Sequence, residues 1–269
     1  MKRFILPGPP GPGAMIRLYE KDYHYLVRVR RLKPGMCFDA VLPGGDETRV
    51  RVLSTVDNIL IGECEGIPAQ PPDSETGGLW PAAIPPIALF QGLPKGAKMD
   101  LIVRQAAEGE VSLVAPFLSE YSAAQKGGDY SGKLKRWERI VREARQQSGA
   151  IVETRLMPPC GFACLLDFWE SKKKEYKKPL GIMLHQEPLE KGSFHSYLGN
   201  SYPGSSPDFT ALAVGPEGGF SPGEVSLMLA AGFKPLLIGN SILRTETAAL
   251  YGVAAIKTIL AESEAWTPV

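Results

Sequence analysis

The stretch Leu212-Ala213-Val214-Gly215-Pro216-Glu217-Gly218-Gly219-Phe220-Ser221-Pro222-Gly223-Glu224 has the pattern of a buried strand, a tight glycine loop and a capped helix. Ser221 suits the N-cap of that helix, and Pro222 suits its first turn. Because Glu224 follows Ser221 at the spacing of a capping box, the two side chains are expected to satisfy each other's backbone amides. The stretch therefore predicts a strand-loop-helix unit.

A second unit of the same kind follows at Leu237-Ile238-Gly239-Asn240-Ser241-Ile242-Leu243-Arg244-Thr245-Glu246-Thr247-Ala248. Its helix can be capped by Thr245 or Thr247, and Glu246 is favourable in the first turn, near the positive end of the helix dipole. Two such units place glycine backbone where a small molecule can approach it closely. We therefore expect a ligand site formed by the two loops.

The composition is that of an ordinary globular protein, with 44% hydrophobic and 22% charged residues among 269 and a formal net charge of +1. The length suits one large domain or two moderate ones. An anionic partner must meet a local basic patch, because the chain as a whole is not cationic. The start of the chain predicts no signal peptide, and no run approaches about 20 apolar residues, so no membrane helix is predicted. We expect a cytoplasmic protein.

The cysteines and histidines do not form a recognisable metal pattern. Cys160 and Cys164 are spaced like half of a zinc site, but Cys37 and Cys64 lie far apart in the chain. The three histidines form no ligand pair. We therefore expect reduced thiols and no metal.

Turn signals divide the N-terminal part of the chain into short apolar runs, which predict strands at 16–18, 37–42, 49–53 and 58–64. The pattern predicts a small β-barrel. A short helix is expected at 23–32. Five arginines lie on this helix and on the third strand: Arg28, Arg30, Arg31, Arg49 and Arg51. Two interpretations stay open, a solvated face or a patch that contacts RNA phosphates beside tyrosines that stack on bases.

Proline and glycine are dense between residues 67 and 83, which predicts an interdomain linker. Strand patterns and helical patterns alternate after it. The predicted strands are 87–90, 111–115 and 181–184, and the predicted helices are 95–107 and 134–148. With the two loop units, this alternation predicts a parallel α/β domain whose ligand lies at the carboxyl ends of the strands.

The final helix, predicted at 246–261, carries an apolar stripe at helical spacing. The stripe consists of Ala249, Val253, Ile256 and Leu260. It indicates either packing into the core or a dimer surface.

The glycine loop does not fit the common nucleotide-binding motifs. Residues 215–219 can hold a phosphate on helix amides, but they lack the lysine and hydroxyl of a P-loop and the spacing of a dinucleotide fingerprint. Neither Cys160 nor Cys164 lies in a nucleophile elbow. Kinase, ATPase and hydrolase activities are therefore disfavoured.

Residues 215–219, together with Leu243-Arg244-Thr245-Glu246-Thr247-Ala248, resemble the ribosomal RNA small-subunit methyltransferase E proteins of the SPOUT superfamily. Similarity extends over nearly the whole chain. It includes Arg28–Arg31 with Pro34-Gly35, Gln91, Lys95-Gly96, Lys98-Met99-Asp100, residues 111–116 and residues 143–149.

The resemblance implies a mixed α/β architecture of two domains. An N-terminal PUA-like β-barrel is expected at 1–67, a linker at 68–83 and a C-terminal SPOUT α/β domain with a trefoil knot at 84–269. The resemblance also implies a homodimer that uses S-adenosyl-L-methionine to methylate N3 of a uridine in the 16S ribosomal RNA of the small subunit.

Methylation of a uridine at N3 requires the imide to lose its proton, so a cation near the developing anion would help. Arg244 is the first catalytic candidate, and Glu246 is the second, for orientation of Arg244 or for helix capping. Family resemblance implies cofactor contacts from glycine backbone and apolar side chains. These residues are Leu184, Gly215, Pro216, Glu217, Gly218, Gly219, Ile238, Gly239, Ile242, Leu243, Thr245 and Ala248.

The sequence departs from the family pattern at Gln105, Tyr121 and Ala150, where cations are usual. Cations of this kind carry much of the affinity for nucleic acid. Two alternatives therefore stay open beside uridine N3 methylation. One is a SPOUT methyltransferase with another RNA target or a ribose 2′-hydroxyl acceptor, and the other is an RNA-binding relative that does not catalyse.

Overall fold

The chain forms two compact units, seen in a computed structural model that describes residues 4–66, 84–122, 128–187, 194–202, 206–239 and 241–262. The first unit comprises residues 1–77 with 145–153, and the second comprises 78–144 with 154–269. Residues 145–153, which the predicted bounds assign to the second domain, thus group with the first. The predicted linker at 68–83 lies outside the described residues, and the domain bounds stay a prediction.

The first unit is a curled five-stranded sheet. Its strands are β1 (Phe4–Ile5), β2 (Met15–Leu18), β3 (Cys37–Val41), β4 (Glu47–Val56) and β5 (Ile59–Glu65), in the order β1-β3-β4-β5-β2. β1 pairs with β3 in parallel, and the other neighbours are antiparallel. Between β2 and β3 lie the short helix α1 (Glu20–Tyr23) and a π-helical turn (His24–Val29).

Strict alternation of apolar and polar residues explains why β4 has one buried face. Thr48, Val50 and Val52 point inward, whereas Arg49 and Arg51 are exposed. The inward side chains of all five strands join Leu26 in one core. The four predicted strands and the helical segment at 23–32 are therefore confirmed, with shifts of a few residues at their ends.

The second unit is built on a parallel sheet. Its strands are β6 (Ile87–Gly92), β7 (Leu113–Leu118), β8 (Arg155–Leu156), β9 (Cys160–Gly161), β10 (Pro179–Leu184), β11 (Phe209–Val214) and β12 (Lys234–Leu236). The order is β12-β10-β11-β6-β7-β8, and β9 also pairs with β7. Every recorded pairing is parallel, as the alternation of strands and helices predicts.

Helices cover both faces of this sheet. They are α2 (Lys98–Glu108), α3 (Ser131–Ser148), α4 (Phe162–Glu175), α5 (Phe194–Ser201), α6 (Pro222–Ala230) and α7 (Thr245–Glu262). Leu89 of β6 belongs to the core beneath α2, α3 and α7, whereas Phe90 belongs to the core beneath α4 and α6. Neighbouring strand residues therefore serve opposite faces, as the two-residue period of a strand requires. No helix of the described residues is long and apolar enough to cross a membrane.

Two expectations need correction. The stripe of Ala249, Val253, Ile256 and Leu260 is buried in the unit's own core, so it cannot be a dimer surface. α2 begins at Lys98 and not at residue 95, because Gly96 has a φ of +64° and interrupts the right-handed helix before it starts.

Candidate active site

The loop after β11, residues 215–219, folds tightly on itself. A Cβ atom added to Gly215 would lie 2.8 Å from the carbonyl carbon of Gly219, and Gly219 itself has a φ of +71°. The amide of Gly219 donates to the carbonyl of Pro216 at 2.9 Å. On β6, a Cβ at Gly92 would lie 2.5 Å from Cδ of Pro216. These glycines are thus required by contacts within the loop and with β6.

The start of α6 confirms the predicted capping box and extends it. Ser221 accepts a hydrogen bond from the Glu224 amide at 3.2 Å, and the Glu224 carboxylate accepts one from the Ser221 amide at 2.9 Å. The same buried carboxylate accepts from the Ser119 hydroxyl and the Glu120 amide, both at 2.8 Å. Glu224 therefore ties the glycine loop to the segment that follows β7.

Thr245, the first residue of α7, joins the two predicted loop units. Its buried hydroxyl donates to the Gly215 carbonyl at 2.7 Å and accepts from Nε2 of Gln91 at 2.9 Å. Because all three groups are buried, the chain of hydrogen bonds is shielded from water. The hydroxyl is thus engaged by the glycine loop, and it fixes the start of α7 against the end of β11.

A lysine lies between the two acidic residues of the loops. Lys98 Nζ donates to Glu217 at 2.7 Å and lies 4.0 Å from Oε2 of Glu246, a buried oxygen with no hydrogen-bond partner in the described part of the chain. The Lys95 amide also donates to Glu217, at 3.0 Å. Burial opposes ionisation of Glu217, but the hydrogen bonds from Lys98 and Lys95 and the charge of Lys98 outweigh it and hold the pKa of Glu217 below its usual value.

The loop after β12 presents its side chains outward. Ile242 is 86% exposed, and Arg244 is exposed and forms no hydrogen bond or ion pair through its side chain with any residue that the structure describes. An ion pair from Arg244 to Glu217 or Glu246, the alternative in which Arg244 only shapes the loop, is therefore not observed. Glu217 pairs with Lys98 instead.

The remaining predicted cofactor residues line the same carboxyl edge of the sheet. Leu184 ends β10, and its Cδ1 would lie 3.1 Å from a Cβ added to Gly252 of α7. Ile238, Leu243 and Ala248 are half-buried, and Gly239 has a φ of +75°. Gly218 is closest to the segment after β7, because an added Cβ would lie 2.9 Å from Cβ of Tyr121.

The arginines predicted to contact RNA fall into three groups within the first unit. Arg49 pairs with Asp39 at 3.0 Å, and Arg51 pairs with Glu65. Arg28 and Arg31 are exposed and have no ion pair among the described residues. Arg30 is half-buried, and its Nη1 has no hydrogen-bond partner in the same described set.

Cys160 of the cysteine motif is poorly suited to act as a nucleophile. Burial, followed by a hydrogen bond and charge coupling with Cys164, raises the pKa of Cys160 to about 12, which keeps the thiol protonated at neutral pH. Within the described ranges, no group of three or more histidine, cysteine, aspartate or glutamate side chains could hold a metal ion.

Lys98 is the site residue that pattern reasoning left out of the candidate site. It belongs to the motif Lys98-Met99-Asp100, but its partners lie more than 100 positions further along the chain. Glu217, for example, follows it by 119 positions. No local signal reports such a pairing.

Known proteins are similar to this chain over both of its units. Residues 82–257 match the family profile of the RNA methyltransferase domain. The chain is 31% identical over 248 residues to ribosomal RNA small subunit methyltransferase E of Synechocystis sp., covering 92% of this chain and 74% of that protein. It is 35% identical over 187 residues to the protein of the same name from Aquifex aeolicus, covering 66% and 69%.

Two solved structures share the fold. Ribosomal RNA small subunit methyltransferase E from Neisseria gonorrhoeae, crystallised with S-adenosyl methionine, superposes with a TM-score of 0.73 at 25% identity over 96% of this chain and 98% of that chain. A methyltransferase from Legionella pneumophila has a TM-score of 0.70 at 24% identity, covering 96% and 97%. The second likeness concerns the fold alone.

Proposed function

The chain belongs to the ribosomal RNA small subunit methyltransferase E family of RNA methyltransferases, and we propose that it transfers a methyl group from S-adenosylmethionine to N3 of a uridine in 16S ribosomal RNA. The observation that carries the proposal is the buried bond from Thr245 to Gly215. It holds two loops at one edge of the sheet, the glycine loop and the loop of Arg244, whose side chain pairs with no residue that the structure describes. A relative with 25% identity was crystallised with this cofactor.

The groups that the two loops present are of the kinds that the cofactor needs. S-adenosylmethionine carries an ammonium group and a sulfonium, and Oε2 of Glu246 is a buried acceptor that lies 4.0 Å from Lys98 Nζ but has no hydrogen-bond partner among the described residues. An orphaned buried carboxylate oxygen is costly unless a donor reaches it, so it suits such a ligand. The glycine backbone of 215–219 and 239, with the apolar side chains of Leu184, Ile238 and Leu243, forms the rest of the proposed site.

When bound, the cofactor supplies a methyl group activated by the positive sulfur. The chain's own contribution is electrostatic. Arg244 would approach the uracil oxygen, where negative charge develops as the N3 proton passes to water. The bond from N3 to the methyl carbon would replace the bond between that carbon and the sulfur of the cofactor, which would leave as a neutral thioether. Glu246, in the first turn of α7, positions the cofactor's amino group or Arg244. Thr245 acts through Gly215, which it holds in place.

We also propose the finer architecture of the family. The antiparallel strands β2–β5 around one core support a PUA-like barrel at 1–67. Parallel strands β6–β12 with two linked loops support a knotted SPOUT domain at 84–269. Arg28 and Arg31 are proposed RNA contacts with free guanidinium groups. Arg49 and Arg51 would have to exchange carboxylate partners for phosphate, and Arg30 has one nitrogen already buried.

A homodimer is part of the proposal. Ile242, Leu250 and Tyr251 lie close in sequence and are exposed, and Leu101 adds another exposed apolar side chain to the same unit. We propose that these side chains belong to one apolar patch, because such patches mark many protein interfaces. Analytical ultracentrifugation of the wild type should give twice the monomer mass, and Tyr251→Glu should shift the equilibrium toward the monomer. A monomeric wild type at micromolar concentration would refute the dimer.

One observation favours a second candidate, methylation of another RNA target or of a ribose 2′-hydroxyl. Tyr121, at a position where the family carries a cation, lies against Gly218 of the glycine loop. The departure therefore falls at the proposed site itself. Nucleoside mass spectrometry of 16S ribosomal RNA from cells lacking the protein separates the two candidates. Loss of 3-methyluridine supports N3 methylation, whereas loss of a 2′-O-methyl nucleoside with 3-methyluridine unchanged supports the second candidate.

A further inference from the structure

A cavity of about 260 Å³ lies in the second unit, between the segment after β6 and helix α3. We call it the α3 pocket. Its principal lining residues are Leu93, Met99, Tyr130, Lys133, Arg136 and Trp137. None of the residues proposed to hold the cofactor lines it. Drug-sized ligands need about 300 to 1,000 Å³, so this volume suits one small ring system with a charged group.

The pocket combines aromatic and cationic side chains. Nζ of Lys133 lies 5.4 Å from the centroid of the Tyr130 ring, at a cation–π distance. Trp137 is 2% exposed and forms an apolar wall with Leu93 and Met99, which are also buried. The lining therefore offers a flat apolar surface beside a positive charge.

The mostly buried side chain of Asp100 holds a second cation at the rim of the pocket. Asp100 accepts from Nε1 of Trp137 at 3.1 Å and pairs with Arg136 at 2.5 Å. The Arg136 side chain is 58% exposed, so part of its guanidinium remains open to solvent. With Lys133, the lining carries two cations against one carboxylate, and this balance favours an anionic ligand.

The α3 pocket is linked to the proposed cofactor site by one short segment. Six of the residues between Leu93 and Asp100 form one wall of the pocket, and the other two, Lys95 and Lys98, donate to Glu217 of the glycine loop. An RNA strand that enters the proposed site therefore has a basic, aromatic pocket within its reach.

We propose that the α3 pocket holds an unpaired nucleotide of the RNA substrate, next to the nucleotide that is methylated. The base packs on Tyr130, and the phosphate contacts Lys133 and Arg136. Unpaired bases stacked on aromatic rings beside cations are the usual means by which proteins recognise single-stranded RNA. This inference rests on the proposed function, since it names RNA as the substrate.

The test measures RNA binding and cofactor binding separately in the full-length protein. Affinity for 16S ribosomal RNA is measured by filter binding at several salt concentrations, and affinity for S-adenosylmethionine is measured by calorimetry. Tyr130→Ala should weaken RNA binding about tenfold, whereas Tyr130→Phe, which keeps the ring, should bind RNA like the wild type. Cofactor affinity should be unchanged in both, and KM for RNA should rise with kcat unchanged.

The exposed Lys133 gives a variant that cannot fail by unfolding the core. Lys133→Ala should lower the salt dependence of RNA binding by about one phosphate contact, a change of roughly 0.7 to 0.9 in the logarithmic slope. Lys174→Ala, on α4 at the opposite face of the sheet, is the matched control and should leave the slope unchanged.

RNA affinity and salt slope at wild-type values in both Tyr130→Ala and Lys133→Ala would overturn the pocket proposal alone. A parallel loss of cofactor affinity in Tyr130→Ala would also overturn it, because the pocket would then belong to the cofactor site. A wild type that binds RNA through this pocket but methylates none would refute the proposed function and leave the pocket standing. Absence of RNA binding by the wild type would refute both.

Discussion

The loops after β11 and β12 lie at the same edge of the sheet but are built in different ways. In the loop after β11, Gly215, Glu217 and the adjoining Glu224 are held by partners from α7, from α2 and from the segment after β7, respectively. In the loop after β12, the described residues from Leu237 to Arg244 form no side-chain hydrogen bonds or ion pairs. The first loop is fixed by its own chain, whereas the second offers its side chains to something outside the chain. We infer that the first loop fixes the cofactor site, to which the second loop adds Ile238, Gly239 and Leu243, and that Arg244 of the second loop acts on the substrate.

The largest expected effect comes from disturbing the fixed loop. Gly215→Val would place a side chain where a Cβ already lies 2.8 Å from the Gly219 backbone, so the loop must open. We expect binding of S-adenosylmethionine to be abolished in calorimetric titration while the first unit stays folded. Gly223→Ala is the control, because a Cβ there meets nothing closer than 3.8 Å. Normal affinity in a folded Gly215→Val protein would contradict the placement of the cofactor.

The second effect separates the rate of methyl transfer, which we expect to depend on Arg244 in the loop after β12, from the affinity for the cofactor. Arg244→Ala should slow methyl transfer at least about a hundredfold, the usual scale for loss of one electrostatic stabiliser, with cofactor affinity nearly unchanged. An arginine close to the positive sulfur would only weaken binding in the ground state, so its use must lie on the substrate side. Single-turnover rates and calorimetry measure the two quantities. If affinity falls in step with rate, Arg244 organises the pocket and the comparison of the loops is wrong.

A smaller effect is expected where the two loops are joined. Thr245→Val keeps the shape of the side chain but leaves the Gly215 carbonyl without its buried donor, at a cost of about 1 to 3 kcal/mol. Urea unfolding should show this loss, and cofactor affinity should fall with it. Thr247→Val, on the same turn of α7 and half-buried, is the control and should stay near the wild type. Equal stability of both variants would show that the hydrogen bond from Thr245 to Gly215 does not contribute to the free energy of unfolding.

The smallest effect concerns pH and the lysine between the acidic residues. Because the folded pKa of Glu217 is depressed below 4.5, its ionisation stabilises the fold above that value, and the contribution is lost as pH falls through the folded pKa. Lys98→Met should therefore cost about 0.5 to 1 kcal/mol near neutral pH, a figure reduced for solvent screening, and progressively less as the pH falls below 4.5. Arg139→Met removes an exposed pair and should cost nothing measurable. A deficit in Lys98→Met that is independent of pH would exclude this charge interaction.

Features with a local cause were predictable from the sequence. The strand before Gly215, the Ser221 capping box and the buried face of α7 follow from apolar periodicity and capping chemistry within one short segment. The sequence pattern predicts no strand or helix at 155–175, because β8 and β9 are only two residues long and α4 mixes three lysines with its apolar side chains. Short strands have too few residues to show a period.

Pairings between distant segments were not predictable. The pattern placed Arg49 and Arg51 on an exposed strand face, which is confirmed, but it did not show that Asp39 and Glu65 pair with them. In the same way, two acidic loop residues were evident, whereas Lys98 between them was not. Such contacts depend on the register of strands and the packing of helices, and one sequence does not report either.

The most direct measurement is methyl transfer by the purified protein. Small ribosomal subunits from cells that lack the protein are incubated with it and with S-adenosylmethionine labelled on the methyl group, and the nucleosides of the 16S ribosomal RNA are separated by mass spectrometry. We predict label in 3-methyluridine, and at least about a hundredfold less with Arg244→Ala at equal cofactor occupancy. Label in a 2′-O-methyl nucleoside, or bound cofactor with no label transferred to either subunits or free RNA, would contradict the account.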